Sequence, residues 1–167
     1  MFDASGSRDP DGGKLTYAWD FGDGTVIDGT ASMSHVYSKG GEYLVGVTVD
    51  DQSKASCSTS DSKSIKLHVN TPPVVDVGTN LVCCIDTESV FDGSGSYDPD
   101  GDKLTYRWDF GDGKTTEGAT VRHVYTKRGV YTVTLKIDDN SNSPCGIAVG
   151  SFVVTVNEKP VAIMEVK

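Results

Sequence analysis

The sequence is short of positive charge: 15 Lys and Arg stand against 24 Asp and Glu, for a formal net charge of −9. Nucleic acid needs a basic footprint, so it is excluded as a partner class. Long apolar runs are missing as well. None approaches the roughly 18 residues that carry a helix across a bilayer, so no membrane span is expected in this stretch. The opening Met1-Phe2-Asp3 has no basic leader of the secretory kind. Sustained helical periodicity is absent. So are the spacings that zinc or nucleophilic catalysis requires. No CxxC occurs, neither His35 nor His123 has a His or Cys at ligand spacing, and the serines sit in turn-rich SGS and SNS segments without a GxSxG elbow. No nucleophile or paired general acid and base emerges, so the chain reads as non-enzymatic. The acidic balance that is left fits solubility at a cell surface or cation binding.

What the sequence does contain is a duplication. The block FDxSGSxDPDGxKLTYxWDFGDG starts at Phe2 and again at Phe91, and the two copies differ only at Ala4/Gly93, Arg8/Tyr97, Gly13/Asp102 and Ala18/Arg107. The echo continues downstream. His35-Val36-Tyr37 matches His123-Val124-Tyr125, Gly41-Glu42-Tyr43 matches Gly129-Val130-Tyr131, Asp50-Asp51 matches Asp138-Asp139, and Cys57 matches Cys145. A period of this length is a whole-domain duplication and not a solenoid repeat. The 167 residues then make two domains of common size, and an apolar content of 37% suits thin sandwiches with solvated faces. Arrays of one module serve as spacers, fibres or binding surfaces more readily than as enzymes.

Period-two alternation dominates each copy. Leu15, Tyr17, Trp19 and Phe21 share one face, and Tyr43, Val45, Val47 and Val49 repeat the pattern. In the second copy Leu104, Tyr106, Trp108 and Phe110 are followed by Tyr131, Val133, Leu135 and Ile137. These read as half-buried antiparallel strands. Asp98-Pro99-Asp100-Gly101 and Gly111-Asp112-Gly113 supply the turns between them. The fold class is therefore all-β: two tandem immunoglobulin-like β-sandwiches, each with a central Trp in its core. The first module, residues 1–71, lacks its N-terminal strands. The second spans 72–157, and residues 158–167 repeat the pattern of Asn70 to Val77 as the first strand of a further module or as a donor strand. Pro72 and Pro73 make the linker stiff, so the modules are expected end to end. Because the chain begins inside a repeat, it reads as a fragment or processed product.

At these residues the chain resembles the PKD domain, the polycystic kidney disease repeat. The resemblance rests on WDFGDG at Trp19–Gly24 and Trp108–Gly113, with the accompanying FDxSGSxDPDG, HxY and GxYxV patterns. Gly13, where the family usually carries a third acidic residue, departs from it, and the cysteines lie outside the family pattern. The resemblance implies an extracellular sandwich without catalytic activity. Such modules occur in surface-layer proteins, in cell-surface receptors, and beside the catalytic domains of secreted proteases and chitinases.

Some modules of this kind beside collagenases hold calcium with acidic residues at one end. That makes Asp98, Asp100, Asp102, Asp138 and Asp139 the candidate calcium set, since calcium takes six to eight oxygens. The plainer reading is that these residues form turns by bonding their own backbone. Calcium is the sole cofactor considered. Trp19 and Trp108 are expected in the core, and His35 and His123 in structural roles. Tyr97 is the aromatic to watch for sugar stacking. In the implied fold an early strand lies parallel to the last, which would bring Cys83 or Cys84 to Cys145, leaving Cys57 free or bonded to another chain. The tail Val161, Ala162, Ile163, Met164, Glu165 and Val166 is the candidate assembly strand, complementing the open edge of a neighbouring first module. The expected function is a surface or extracellular structural repeat, self-associating head to tail into a fibre or array or lying beside adjacent modules of a longer chain. The alternative is an accessory spacer or a module of a secreted hydrolase that binds polysaccharide or cell-surface protein.

Overall fold

A computed structural model describes residues 1–53 and 60–165, and its regular elements are all strands. The chain divides into two compact units, Met1–Val69 and Asn70–Lys167. The first contains β1 (Phe2–Asp3), β2 (Thr16–Asp20), β3 (Val26–Gly29), β4 (Ser32–Met33), β5 (Gly41–Asp50) and β6 (Ser60–Val69). One sheet has the order β3-β2-β5-β6, and the short pair β1-β4 faces it. The second unit contains β7 (Leu81–Cys84), β8 (Glu88–Asp92), β9 (Thr105–Asp109), β10 (Thr115–Glu117), β11 (Thr120–Val124), β12 (Gly129–Asp138) and β13 (Ile147–Asn157). Its sheets run β10-β9-β12-β13-β7 and β8-β11. Strand for strand, the second unit is the first plus β7. This is the immunoglobulin-like sandwich that the alternation predicts.

The period of two does its work most clearly in β12. Val133, Leu135 and Ile137 are buried, whereas Thr132 before them and Lys136 among them face water. These side chains meet Phe91, Trp108, Phe110, Tyr125, Val154 and Val156 in one core. Full burial of each aliphatic contributes about 1.5–3 kcal/mol. The indole N–H of Trp108 would be costly to bury alone, and it donates to Gly118 O at 3.0 Å. Trp19 repeats this, donating to Thr30 O at 3.0 Å. The tyrosines do likewise: Tyr125 Oη donates to Phe110 O at 3.0 Å and Tyr37 Oη to Phe21 O at 2.9 Å.

The cores differ in extent, and β7 is the reason. It runs parallel to β13, with Leu81 opposite Val154 and Cys84 opposite Asn157. Val75, Val77, Leu81, Cys83 and Ile85 thereby close one side of the second core. In the first unit β6 has β5 as its one strand neighbour among the described residues. Among the described residues only Trp19, Phe21 and Val45 are fully buried there. Ile65 occupies the register position of Phe152 and stays 54% exposed.

The same register corrects the expected disulfide. The early strand is parallel to the last, as anticipated, but Cys83 lies opposite Val156 at the far end of β13. Cys145 precedes the other end. Some eleven residues at about 3.3 Å each separate the two ends, roughly 35 Å, against the roughly 7 Å a disulfide tolerates between Cα atoms. Cys83, Cys84 and Cys145 are free thiols. Cys57 lies outside the described residues.

Trp108 fills the centre of the larger core and is wholly inaccessible. Trp108→Ala is expected to cost about 3–5 kcal/mol, read as a lower urea midpoint for the second module.

Candidate cation site and the paired histidines

Two arrangements recur in both modules. The first is built around the WDFGDG turn. In the second module Asp109 Oδ1 accepts from Gly111 N at 2.9 Å, and Phe110 N donates to Lys114 O at 3.1 Å. Gly111 has φ of 74°, and a Cβ there would stand 2.6 Å from Thr132 O. Only glycine fits that approach. The turn then presents Asp112, whose Oδ2 lies 2.9 Å from His123 Nε2. The imidazole stacks on Phe110 at 4.0 Å between centroids and meets the edge of Tyr125 at 4.5 Å. The first module repeats the set, with His35 Nε2 2.7 Å from Asp23 Oδ2. Both histidines are enclosed by rings and tied to a turn carboxylate, so they knit the turn to the core.

The second arrangement gathers polar residues at one end of the second module. Asn70 Nδ2 donates to Asp139 Oδ2 at 2.8 Å. Thr71 N and Oγ1 donate to the two oxygens of Asp100 at 2.6 and 3.0 Å. Asp98 Oδ1 accepts from the amides of Asp100 at 2.8 Å and Asp102 at 3.4 Å. Asp139 Oδ1 accepts from Ser141 N at 2.8 Å. Asp98 is 9% exposed and Asp139 3%. Two buried oxygens here, Asp98 Oδ2 and Asn70 Oδ1, have no hydrogen-bond partner among the described residues. Buried polar atoms are ordinarily satisfied, so these two oxygens have room for a partner that is not a protein atom: a water or a cation.

Of the five aspartates singled out in the sequence, Asp98, Asp100 and Asp139 belong to this hydrogen-bonded group. Asp102 enters it through its amide, and Asp138 Oδ1 caps Asn140 N at 2.9 Å. No three His, Cys, Asp or Glu side chains among the described residues converge on one metal position. Oxygens of amide and carbonyl type are needed to complete a calcium shell, and Asn70 supplies an unpaired one. Asn70 was not legible as a site residue. Its signal was the recurrence of Asn70-x-x-Pro73 as Asn157-x-x-Pro160. Cys145 lies beside it, its Sγ 3.6 Å from Asn70 O.

The other candidates are placed as follows. Trp19 and Trp108 are buried and offer no face to a sugar. Tyr97 is 58% exposed and is held at the backbone by a two-way bridge to Val74, at 2.8 and 3.0 Å. Val161, Ala162, Ile163, Met164 and Glu165 form no strand and are exposed. Val166 lies outside the described residues.

An all-β sandwich doubled in tandem, with a Trp core and an FGDG turn in each copy, defines the class. A sequence model of the PKD domain matches residues 1–66 and 70–156, and the chain belongs to the PKD domain family. Among its relatives is Collagenase ColA of Clostridium perfringens, 36% identical over 99 residues, 59% of this chain and 9% of the relative. Human Polycystin-1 is 28% identical over 155 residues, 88% of this chain and 3% of the relative. The pre-pro-metalloprotease PrtV of Vibrio cholerae is 28% identical over 144 residues, 86% of this chain and 15% of the relative. The chain thus spans a small fraction of the length of each.

Several carboxylates are held below their ordinary value of 3.8: Asp3 by the Ser5 amide, Asp23 by His35, Asp92 by the Ser94 amide, and Asp139 because bonds from Ser141 and Asn70 outweigh its desolvation. A depressed folded value means the stabilisation is complete above 3.8 and is lost as pH falls through the folded values. Burial pushes Tyr37 and Tyr125 above 10.0, so their stabilisation is present below that value and is lost as pH rises through the folded ones. Thermal melts across pH are expected to show a plateau between these limits and a decline on both sides. In Asp23→Asn the acid decline should be shallower.

Proposed function

We propose that the chain is a non-catalytic, extracellular accessory segment of a secreted hydrolase, a spacer whose second module is stiffened by calcium and touches an insoluble substrate. The observation that carries the calcium reading is the unpaired, buried Asp98 Oδ2 beside the bonded set of Asn70, Asp100 and Asp139. The two unpaired oxygens, Asp98 Oδ2 and Asn70 Oδ1, would face the ion, with water completing a shell of six to eight oxygens. Calcium there would neutralise a crowded acidic end and tie the Asn70-Thr71 entry segment to the module. The similarity to a collagenase and a metalloprotease over stretches that are a minor part of each supports the accessory role. Tyr97 supports the contact with polysaccharide or fibrous protein, since its ring is exposed on a backbone fixed by Val74.

A second reading, head-to-tail strand exchange between copies, is favoured by one observation. A cleft on the first module, lined by Phe2, Trp19, Val47, Lys63 and Ile65, lies where β7 and its neighbours close the second core. The apolar tail Val161–Glu165 would fill it. Light scattering of the chain and of a variant shortened to residue 160 tests this. Assembly that survives the shortening rejects it.

Saturating calcium is expected to stabilise the second module by about 2.7 kcal/mol at a hundredfold excess over Kd, seen as a rise in its melting temperature that EDTA reverses. Asp98→Asn should abolish the rise, and a melting curve indifferent to calcium would remove the site. Retention on insoluble collagen, chitin or cellulose should fall several-fold in Tyr97→Ala. Equal retention of the two proteins rejects the Tyr97 contact.

A further inference from the structure

The outer faces of the two larger sheets carry the same cleft with different chemistry. In the second module it is a shallow hollow of about 490 Å³ bordered by Thr105, Arg107, Glu117, Gly118, Lys136 and Asp138. In the first it is about 430 Å³, bordered by Thr16, Ala18, Asp28, Gly29, Thr48 and Asp50. The frames coincide. Thr105 Oγ1 donates to Asp138 O at 3.3 Å, and Thr16 Oγ1 to Asp50 O at 3.1 Å. Glu117 stands opposite Arg107 across β10 and β9, as Asp28 stands opposite Ala18 across β3 and β2. Size and acids are thus shared, and what separates the clefts is two cations. Ala18/Arg107 is one of the differences within the duplicated block, and Thr48 takes the place of Lys136.

Those cations are placed at a cost. Arg107 and Lys136 are register partners in the antiparallel pair of β9 and β12, and both are exposed. Like charges directly opposite each other in such a pair, with Cβ atoms about 4.5–5.5 Å apart, are destabilising. Acids stand nearby, yet neither cation enters an ion pair among the described residues, in which Arg122 meets Glu88 and Arg128 meets Glu158. In a chain of net charge −9, two adjacent unpaired cations are a local conflict. Conflicts of this kind are tolerated where a ligand resolves them.

We propose that Arg107 and Lys136 bind the carboxylate of an acidic polysaccharide lying across β9 and β12, with Glu117 and Asp138 accepting its hydroxyls. A guanidinium takes a carboxylate through two parallel N–H donors, and the ammonium adds a point charge from the facing strand. The two acids select among anions. A peptide rich in Asp and Glu would set its own carboxylates against Glu117 and Asp138, whereas a uronate polymer brings hydroxyl donors along with each carboxylate. Nor can a peptide join this face as a strand, since β9 already lies between β10 and β12, and β12 between β9 and β13. The cleft shares no residue with Tyr97 or with the polar group around Asn70, and the choice of a polysaccharide rests on the accessory reading above.

Polygalacturonate is the probe, titrated by calorimetry into the full chain in EDTA so that calcium plays no part. The wild type is expected to bind it, to bind neutral dextran about tenfold more weakly or less, and to lose affinity as salt rises. Arg107→Ala with Lys136→Thr, which installs the residues of the first module, should weaken binding about tenfold or more. Arg122→Ala with Arg128→Ala makes the same change of net charge and should stay within a few-fold of wild type, as should Tyr97→Ala. A wild type that does not bind polygalacturonate overturns the proposal. So does equal loss in the two double variants, which would reduce the effect to net charge. Poly-glutamate bound more tightly than polygalacturonate would make an acidic protein the partner and overturn the assignment to polysaccharide. Binding that depends on Tyr97 and not on the two cations would keep the accessory reading and reject this cleft. Melting at low salt supplies a readout without ligand. Lys136→Gln should raise the melting temperature of the second module, and a fall would show that the paired cations stabilise the sheet and are not held for a ligand.

Discussion

A polar atom taken out of water must find a partner, and leaving one unmade costs about 1–3 kcal/mol. That constraint organises these thin sandwiches. Trp19 and Trp108 can centre their cores because each indole N–H reaches a backbone carbonyl outside the β2 or β9 strand that carries it. Tyr37 and Tyr125 enter only because Phe21 and Phe110 turn carbonyls toward them. The histidines complete the pattern, meeting the turn aspartates Asp23 and Asp112. Each module is held at three points by polar bonds that its aromatic residues carry inward. The WDFGDG turn matters because it furnishes both the Phe carbonyl and the Asp carboxylate.

Given that frame, the amount of apolar surface each module buries is set by what covers the last strand. β13 is flanked by β12 and β7, and Val154 and Val156 on it are buried. β6 is flanked by β5 alone among the described residues, and Leu67, in the register position of Val154, is only half-buried. The sequences of the central strands are almost the same. Trp19 and Trp108 sit alike, yet the aliphatic shell around them differs because burial is a property of neighbours and not of the residue.

Much of this was legible from residues alone. Alternation over Tyr131–Ile137 identified a strand and its inward face, and the duplicated turn signature identified the family. Five aspartates were picked out as candidate calcium ligands; Asp98, Asp100 and Asp139 among them lie in one hydrogen-bonded group. What could not be read was register and the pose of side chains. Cys83 and Cys145 were expected to meet because their strands are parallel. A slide along a parallel pair leaves the pattern unchanged, so nothing in the sequence marked that they sit at opposite ends. Nor did the sequence single out Asn70, which looked like linker. Its role comes from one amide bond to Asp139 across 69 residues of chain.

The distribution of these features between the modules is itself informative. The unpaired oxygens, Asp98 Oδ2 and Asn70 Oδ1, together cost about 2–6 kcal/mol. They occur in the module with the larger core, where Val133, Leu135, Ile137 and Val154 each contribute about 1.5–3 kcal/mol by burial. Among the described residues the first module fully buries Trp19, Phe21 and Val45. Its turn is the one closed on itself, with both oxygens of Asp9 paired. The near-identity of the two turns therefore hides a difference in hydrogen bonding: Asp9 is paired at both carboxylate oxygens, and Asp98 at one.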